Sequence, residues 1–303
     1  MRARIGADDV WRKAWRRRAR VFGAVGALAV AWGWMVGCGE SERGEVASGV
    51  VDGETEDRAD LGRFFGEIEG TFVLLDGQTG RRIRYNPERA ATRFLPASTY
   101  KIPNTLIALE TGVADGAEFA LAWDSVAVPR QSWWPASWAR DQTLRSAFTA
   151  SVVWYYQELA RRIGPDRMRE YLDRFDYGNR DISGGIDTFW LTGGLAISPD
   201  EQVDFLRRFY DGRLGVSDRT TAIAKELLVL EETPTYRLSG KTGWAGLGLD
   251  GAPEIGWLVG YVERGDEVHY FATNIEIRTN ADARARVDIT KAILRELGLL
   301  DPQ

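Results

Sequence analysis

The sequence predicts an α/β fold in which an antiparallel sheet, built from strands at both ends of the folded chain, carries an inserted helical region. Two runs of strand-like residues joined by a Gly-Gln-Thr-Gly turn predict a hairpin over 71–86, and a second hairpin is expected over 255–277. Most of the intervening sequence is helical in pattern. Strands at both ends with helices between them do not fit one doubly wound sheet. A cleft is expected at the seam between the sheet and the helical region.

The expected helices follow from periodicity and from terminal signals. Apolar residues recur at helical spacing over 154–163 and 168–175. Ser198 precedes Pro199 and two acidic residues, which is the pattern of an N-cap, an N1 proline and an acidic first turn. A last helix is expected over 284–297. Helices at the chain ends would therefore flank the sheet.

The first residues of the chain resemble an export signal. A basic segment, a 16-residue apolar run over 21–36 and small residues near Cys38 predict a secretory signal over 1–37. The apolar run is short for a membrane span, which needs about 20 residues. Met35–Cys38 also resembles a lipobox, in which Cys38 would be lipidated, and an uncleaved anchor is the alternative. In either case we expect export to the periplasm or cell envelope.

The polar, acidic stretch over 38–60 predicts a flexible linker, because it contains too few apolar residues to form a core. The catalytic domain is therefore expected to occupy 61–303.

Two scarce residue types exclude common hydrolase mechanisms. The chain has one histidine, His269, and one cysteine, Cys38. A Ser-His-Asp hydrolase could use only His269, which we interpret as a strand residue with satisfied hydrogen bonds. A zinc hydrolase normally draws several ligands from His and Cys. The net charge of −5 argues against a general nucleic-acid binder. Hydrolysis would therefore use carboxylates or a Ser/Lys/Tyr set.

Ser98-Thr99-Tyr100-Lys101 is the first candidate for such chemistry. Pro96 and Ala97 lead into an apolar helix, on which residues three apart share a face. Ser98 and Lys101 would be neighbours at a helix N-terminus, where negative charge is favoured. Burial would lower the pKa of the lysine so that it could take the serine proton. Taken alone, the motif more often describes an N-cap serine and a solvent-facing lysine.

Lys241-Thr242-Gly243 is the second candidate, about 140 residues further along the chain. A cation and a hydroxyl on a strand can hold a substrate carboxylate, and glycine allows close backbone approach. S-x-x-K followed by K-T-G resembles the signature of β-lactamases and penicillin-binding proteins. Ser151-Val152-Val153 occupies the place of the middle motif, where Val153 instead of Asn is similar to class D enzymes. An ordinary N-cap at Ser151 is the alternative.

The stretch over 177–191 is the most specific, because its Tyr-Gly-Asn start and its Trp190 resemble the corresponding oxacillinase loop. The resemblance extends over about 72–297, nearly the whole folded part. The chain thus resembles the class D, oxacillinase-type serine β-lactamases. This implies a β-lactamase/penicillin-binding transpeptidase-like α/β fold, with an antiparallel sheet flanked by terminal helices and an inserted helical subdomain. It also implies β-lactam hydrolysis that confers resistance.

The resemblance further implies site roles. Ser98 would form the acyl-enzyme, and Lys101 would be an N6-carboxylysine, formed with CO2 or bicarbonate, that acts as base in acylation and deacylation. No metal or organic cofactor is implied. Val153 and the indole N–H of Trp190 would surround the modified lysine, and Ser151 would relay a proton to the lactam nitrogen. The oxyanion hole would be formed by the N–H groups of Ser98 and Trp244. Lys241 belongs to the implied catalytic residues and, with Thr242, would orient the substrate carboxylate. The implied substrate-binding residues are Thr242, Gly243, Trp244, Arg286 and Tyr177, with Arg284 as the alternative to Arg286.

Some questions stay open. The Trp-rich stretch over 131–138 is either a cleft-edge loop that shapes substrate choice or a packing element, and Trp244 is expected at the cleft lip. A D,D-peptidase and a β-lactam sensor that stays acylated are competing interpretations. The expected partners are small β-lactams, with no nucleic acid, a possible membrane attachment through Cys38, and a monomeric or homodimeric state.

Overall fold

The computed structural model describes residues 53–246, 254–279 and 282–302. The predicted signal over 1–37, Cys38 and most of the predicted linker lie outside the described residues. None of the helices within these ranges is long and apolar enough to cross a membrane.

A seven-stranded sheet forms the framework of the described part. In chain order its strands are β1 (Thr55–Asp57), β2 (Gly70–Asp76), β3 (Arg82–Tyr85), β6 (Val229–Glu232), β7 (Arg237–Ala245), β8 (Glu254–Arg264) and β9 (Glu267–Ile277), while β4 (Ala120–Leu121) and β5 (Gln142–Thr143) form a separate pair. The order across the sheet is β1-β3-β2-β9-β8-β7-β6. Neighbours are antiparallel except β1 and β3. The predicted sheet from both chain ends is confirmed, as are both hairpins.

The predicted linker is wrong at its C-terminal end. Thr55 in β1 lies opposite Arg82 in β3, and a 3-10 helix over Ala59–Phe64 follows. Two of the acidic residues that suggested solvated chain are paired with arginines: Glu56 contacts Arg81, and Asp60 lies 2.7 Å from the Arg58 guanidinium. An acidic residue that is paired with an arginine can lie in or beside a strand. The folded part therefore begins before residue 61, where it was predicted to start.

Most of the helices lie between the two groups of strands. They are α1 (Pro87–Ala91), α2 (Lys101–Glu110), α3 (Leu144–Thr149), α4 (Val153–Ile163), α5 (Pro165–Arg174), α6 (Pro199–Tyr210), α7 (Asp218–Leu228) and α8 (Asp282–Glu296). The predicted start of α6 is confirmed, because the Ser198 hydroxyl accepts from the Glu201 N–H and the Glu201 carboxylate accepts from the Ser198 N–H. The helices predicted over 154–163, 168–175 and 284–297 correspond to α4, α5 and α8.

Two apolar clusters cover the two faces of the sheet. Side chains alternate between faces along a strand, and β2 shows this directly: Val73 and Leu75 pack with the helical region, whereas Phe72 and Leu74 pack on the side of α8. Since both faces are covered, the strands read as nearly continuous apolar runs. The rigid sheet gives β7 a fixed position beside the helical region, where the candidate site lies.

Candidate active site

Ser98 and Lys101 lie on one continuous helical segment. A 3-10 turn over Ala97–Tyr100 carries Ser98 and runs directly into α2, whose first residue is Lys101. The Lys101 Nζ is 2.9 Å from the Ser98 Oγ. Ser98 is half-buried, whereas Lys101 is only 1% exposed. The interpretation of Lys101 as a solvent-facing residue is therefore wrong, and the structure brings the predicted nucleophile and base into contact.

The environment of Lys101 favours its neutral form. Burial lowers the pKa of Lys101 well below its usual value, and the nearby charge of Lys241 lowers this pKa further. The Tyr156 ring, whose centroid lies 5.2 Å from the Lys101 Nζ, would favour the ammonium, but burial outweighs this attraction. A desolvated, uncharged amine can accept a proton or react with an electrophile, which a solvated ammonium cannot do.

A second serine–lysine pair faces the first. Ser151 lies in the connection between α3 and α4, and its hydroxyl oxygen accepts a 3.1 Å hydrogen bond from the Lys241 Nζ. The Nζ also donates to the Thr242 carbonyl oxygen at 3.2 Å. Lys241 is 4% exposed, and burial together with the charge of Arg286 lowers its pKa to about 7. Half-buried Val153 begins α4 beside this pair and packs on the main core cluster.

The K-T-G segment of β7 packs closely against the Ser98 turn. A Cβ placed on Gly243 would lie 3.0 Å from the Pro96 carbonyl oxygen and 3.1 Å from the Thr99 Cγ2. Any larger residue at position 243 would therefore push β7 away from the residues that flank Ser98. This close approach places the backbone of β7 along one side of the nucleophile.

Strained backbone lies immediately before Ser98 and at Ser151 itself. Ala97 has φ 48° and Ser151 has φ 57°, although both carry a Cβ. Such conformations are disfavoured and persist where the surrounding structure holds them, commonly at functional sites. The Ala97 N–H is held by the Trp190 carbonyl oxygen at 3.0 Å, and the Trp190 ring stacks on Tyr100 at 5.3 Å between centroids. The predicted residue Trp190 thus packs directly under the segment that joins Ser98 to Lys101.

Arg286 adds a third cation to the site. Its guanidinium lies 5.9 Å from the centroid of the Trp244 ring, and its Nε and Nη1 are buried without hydrogen-bond partners among the described residues. Burial lowers the pKa of Arg286 to about 10. Arg284 is exposed, so the structure favours Arg286 over Arg284. Lys241 and Arg286 are close enough for their charges to interact, and neither is paired with a carboxylate among the described residues. This side of the site is therefore suited to an anion.

The prediction that Tyr177 binds substrate is wrong. Its side chain is 0% exposed and packs edge-on against Tyr100 and Phe205, with ring centroids 5.7 and 4.9 Å away. A side chain without accessible surface cannot contact a substrate in the cleft. Tyr177 instead lies in the core beneath the Ser98 turn, where it supports the packing of Tyr100.

Gln202 supports the same turn and was missed by the sequence reasoning. Its side-chain amide donates to the Thr99 hydroxyl oxygen at 3.0 Å, and this hydroxyl donates to the Pro96 carbonyl oxygen at 2.8 Å. Gln202 is 1% exposed, on the buried face of α6. The sequence does contain a signal for this role, because Gln202 lies on the apolar face of a predicted helix. A buried amide needs a hydrogen-bond partner, so a glutamine at such a position indicates a buried polar contact.

The Trp-rich loop is mainly a packing element. Trp134 and Trp138 are 7% and 6% exposed, and their ring centroids lie 5.6 Å apart. Trp133 packs edge-on against both and is 52% exposed. Of the two alternatives, the packing role fits the two inner tryptophans, while the outer ring is open to solvent.

His269 lies in β9, opposite Asp76 and Val262, as expected for a strand residue. The expectation of satisfied hydrogen bonds is wrong, because neither ring nitrogen makes a hydrogen bond within the described residues. The Nε2 lies 3.5 Å from the Glu267 carboxylate, a contact without hydrogen-bond geometry. Within the described ranges no group of three or more His, Cys, Asp or Glu side chains is placed to hold a metal ion.

Comparison with known proteins places these residues in a family. Residues 70–295 match the family described as the penicillin-binding protein transpeptidase domain. The β-lactamase OXA-10 of Pseudomonas aeruginosa is 41% identical over 77% of this chain and 86% of its own length. The crystal structure of a class D β-lactamase YbXI from Nostoc has a TM-score of 0.75 and 43% identity, covering 79% of this chain and 99% of that chain.

One relative bears on the competing sensor interpretation. The regulatory protein BlaR1 of Bacillus licheniformis is 36% identical over 82% of this chain. This match covers only 40% of BlaR1, whereas the matches to OXA-10 and to the Nostoc enzyme cover most of those proteins.

Proposed function

The chain belongs to the class D serine β-lactamases, and we propose that it hydrolyses β-lactam antibiotics through an acyl-enzyme on Ser98 and so confers resistance to them. The observation that carries this proposal is the meeting of two serine–lysine pairs in one cleft. Ser98 lies 2.9 Å from Lys101, and Ser151 lies 3.1 Å from Lys241. One pair supplies a nucleophile with its base, and the other supplies a hydroxyl held by a cation.

In acylation, the Ser98 oxygen bonds to the lactam carbonyl carbon, and the ring C–N bond breaks. The Ser151 hydroxyl then gives its proton to the departing ring nitrogen and is placed to regain one from Lys241. The close packing of β7 on the Ser98 turn supports an oxyanion hole made by the N–H groups of Ser98 and Trp244.

Substrate orientation is assigned to the cationic side of the cleft. Lys241 and Arg286 carry positive charge without a carboxylate partner among the described residues, and Thr242 adds a half-buried hydroxyl beside them. A substrate carboxylate bound there would relieve the unfavourable burial of these cations. This places the lactam carbonyl between β7 and Ser98.

We further propose that Lys101 works as an N6-carboxylysine. The fit rests on its burial and lowered pKa, because only a neutral amine reacts with carbon dioxide. Carboxylation would supply an anionic oxygen that can take the Ser98 proton and later activate water. Val153 and Trp190 would exclude bulk water around the side chain, since Val153 packs into the core and Trp190 is 1% exposed. CO2 or bicarbonate is then the only small molecule needed besides substrate and water.

The segment preceding the described residues supports a proposed location. The basic and apolar run before Cys38 is the basis for export to the periplasm or cell envelope, with lipidation of Cys38 as the anchor. Radiolabelled fatty acid incorporated into the wild-type protein and lost in Cys38→Ala would support the anchor. Equal labelling of both proteins would contradict it.

A progress curve with a chromogenic cephalosporin tests the proposed activity. Sustained turnover that rises with added bicarbonate is expected from the purified protein. A burst of one equivalent that then stops, with bicarbonate present, would instead support a sensor of the BlaR1 kind or a peptidase. The matched control is Ser98→Ala, which should show neither burst nor turnover.

A further inference from the structure

The backbone on the N-terminal side of Ser151 is held by an indole from the Trp-rich loop. The Trp138 N–H donates a 2.8 Å hydrogen bond to the carbonyl oxygen of Ala150, the residue immediately before Ser151. We infer that Trp138 is a positioning residue for Ser151, an inference that rests on the proposed β-lactam hydrolysis. Trp138 does this through the backbone, without touching the reacting atoms itself.

Ser151 lies outside any helix or strand, so the hydrogen bonds of its flanking peptides decide its position. Helix α3 ends at Thr149 and α4 begins at Val153, so Ser151 lies in the short connection between them. Its φ of 57° is a left-handed conformation that a residue with a Cβ rarely adopts. A strained residue persists only where its surroundings fix it. The Ser151 N–H donates to the Phe148 carbonyl oxygen at 3.1 Å and the Val152 N–H to the Ala147 carbonyl oxygen at 2.9 Å, which closes the end of α3 around this conformation. The Trp138 hydrogen bond at the Ala150 carbonyl oxygen holds the other side of the Ala150–Ser151 peptide.

A second indole anchors the first. The Trp154 N–H donates to the Trp138 carbonyl oxygen at 2.8 Å. Trp154 lies in the first turn of α4, three residues after Ser151. The two hydrogen bonds therefore link α4 to Trp138 in the loop, and Trp138 to Ala150, the residue before Ser151. Trp138 and Trp154 are 6% and 4% exposed, so water does not readily replace either bond.

Trp134 provides an internal contrast. Its ring packs against Trp138 in the same cluster, but its buried indole N–H has no hydrogen-bond partner among the described residues. Removing the Trp138 N–H breaks a bond to the Ser151 segment, whereas removing the Trp134 N–H breaks none. Two tryptophans of similar burial thus separate the effect of the hydrogen bond from the effect of ring packing.

The consequence for catalysis is specific. When the Ala150 carbonyl is released, the Ser151 segment can relax and lose its alignment with Lys241, now 3.1 Å away. Protonation of the lactam nitrogen would slow, because a small displacement of a proton donor costs a large factor in rate. Initial binding of the substrate carboxylate near Arg286 would stay the same. Acylation should therefore fall without a matching loss of affinity.

The test measures acylation of the full chain by a fluorescent penicillin in stopped flow. Trp138→Phe should lower the acylation rate constant by about 10- to 100-fold with an apparent Kd within about twofold of wild type. Trp154→Phe should have a smaller effect in the same direction. The matched control Trp134→Phe should react at the wild-type rate. Replacing Trp138 with 3-benzothienylalanine, which keeps ring size but lacks the N–H, should reproduce Trp138→Phe.

A double-mutant cycle distinguishes positioning from general structural damage. If Trp138 acts through Ser151, Trp138→Phe should cost less than about twofold when added to Ser151→Ala. Additive losses in the cycle, equal losses in Trp134→Phe, or full activity of the benzothienyl variant would each overturn the inference while leaving the proposed function intact. Failure of the wild-type protein to be acylated would overturn both.

Discussion

The two serine–lysine pairs of the cleft are alike in chemistry and different in origin. Ser98 and Lys101 are three residues apart on one helical segment, so local geometry alone brings them to 2.9 Å. Ser151 and Lys241 are 90 residues apart, and they meet only because β7 packs beside the helical region. Contact within the first pair depends only on helix geometry, whereas contact within the second pair depends on the tertiary fold.

The pairs also differ in their charge. Burial and the charge of Lys241 together lower the pKa of Lys101 well below its usual value. Burial and the charge of Arg286 lower the pKa of Lys241 to about 7. The cations therefore form a series in which each one makes the next easier to deprotonate. Lys101, at the end of the series, is suited to act as a base, whereas Lys241 can still carry a proton near neutral pH.

Loss of Lys101 is the change that should affect activity most. Lys101→Ala should lower kcat/KM by about 10³-fold, because general-base catalysis contributes about 10²- to 10⁴-fold. Steady-state hydrolysis of a chromogenic cephalosporin measures this. Lys225→Ala is the matched control, since burial also lowers the pKa of Lys225 while the residue packs on Tyr210 outside the cleft. Lys225 is only half-buried, and comparable losses in both variants would mean that removing a partly desolvated lysine harms folding, with no specific role of Lys101 in the chemistry.

Loss of Arg286 should have an intermediate effect and should change the pH profile. Arg286→Gln removes a charge that lowers the pKa of Lys241, so this pKa should rise from about 7. If protonated Lys241 is required, kcat/KM of the wild type falls as pH rises through about 7, and this limb should move to higher pH in the variant. KM should also rise by about tenfold from the lost carboxylate contact.

The exposed Arg284 offers the control for that experiment. Arg284→Gln removes the same charge from the same helix, and it should leave both KM and the alkaline limb unchanged. An identical shift in the two variants would show that long-range charge, and not the contact at Arg286, sets the profile.

The smallest effect is expected at Tyr177. Tyr177→Phe removes only a hydroxyl that is 3.5 Å from the Gln202 amide, so kcat and KM should change by less than about twofold. Steady-state kinetics measures kcat and KM, and a melting curve measures the stability of the variant. A large rise in KM with an unchanged melting temperature would restore the idea that Tyr177 contacts substrate.

Sequence reasoning succeeded where the signal was local. The Ser98–Lys101 spacing, the hairpins and the Ser198 cap all depend on residues within a few positions of each other. The separate roles of Ser151 and Lys241 came only from a family resemblance, and their contact was not predicted, because no spacing rule joins residues 90 positions apart. Tyr177 was misplaced for the same reason, since burial depends on what the rest of the chain packs against it.

Two further misses have a similar physical cause. β1 was hidden because its acidic residues resemble solvated chain, and only Arg81, 25 residues further along the chain, shows that Glu56 is paired. Gln202 was passed over because its partner Thr99 lies 103 residues away. In each case the missing information was a long-range contact, and not a weak local preference.

The central claim is that Ser98 forms the acyl-enzyme and that Ser151 donates a proton during acylation. Quench-flow mass spectrometry of the intact protein with a penicillin tests this claim most directly. In the wild type, a covalent adduct lost in Ser98→Ala should rise and then decay. In Ser151→Ala the adduct should form about 10²-fold more slowly, because the lactam nitrogen lacks its proton donor, and should still decay. An adduct that forms at the normal rate in Ser151→Ala and then persists would contradict the account, since it would assign Ser151 to deacylation.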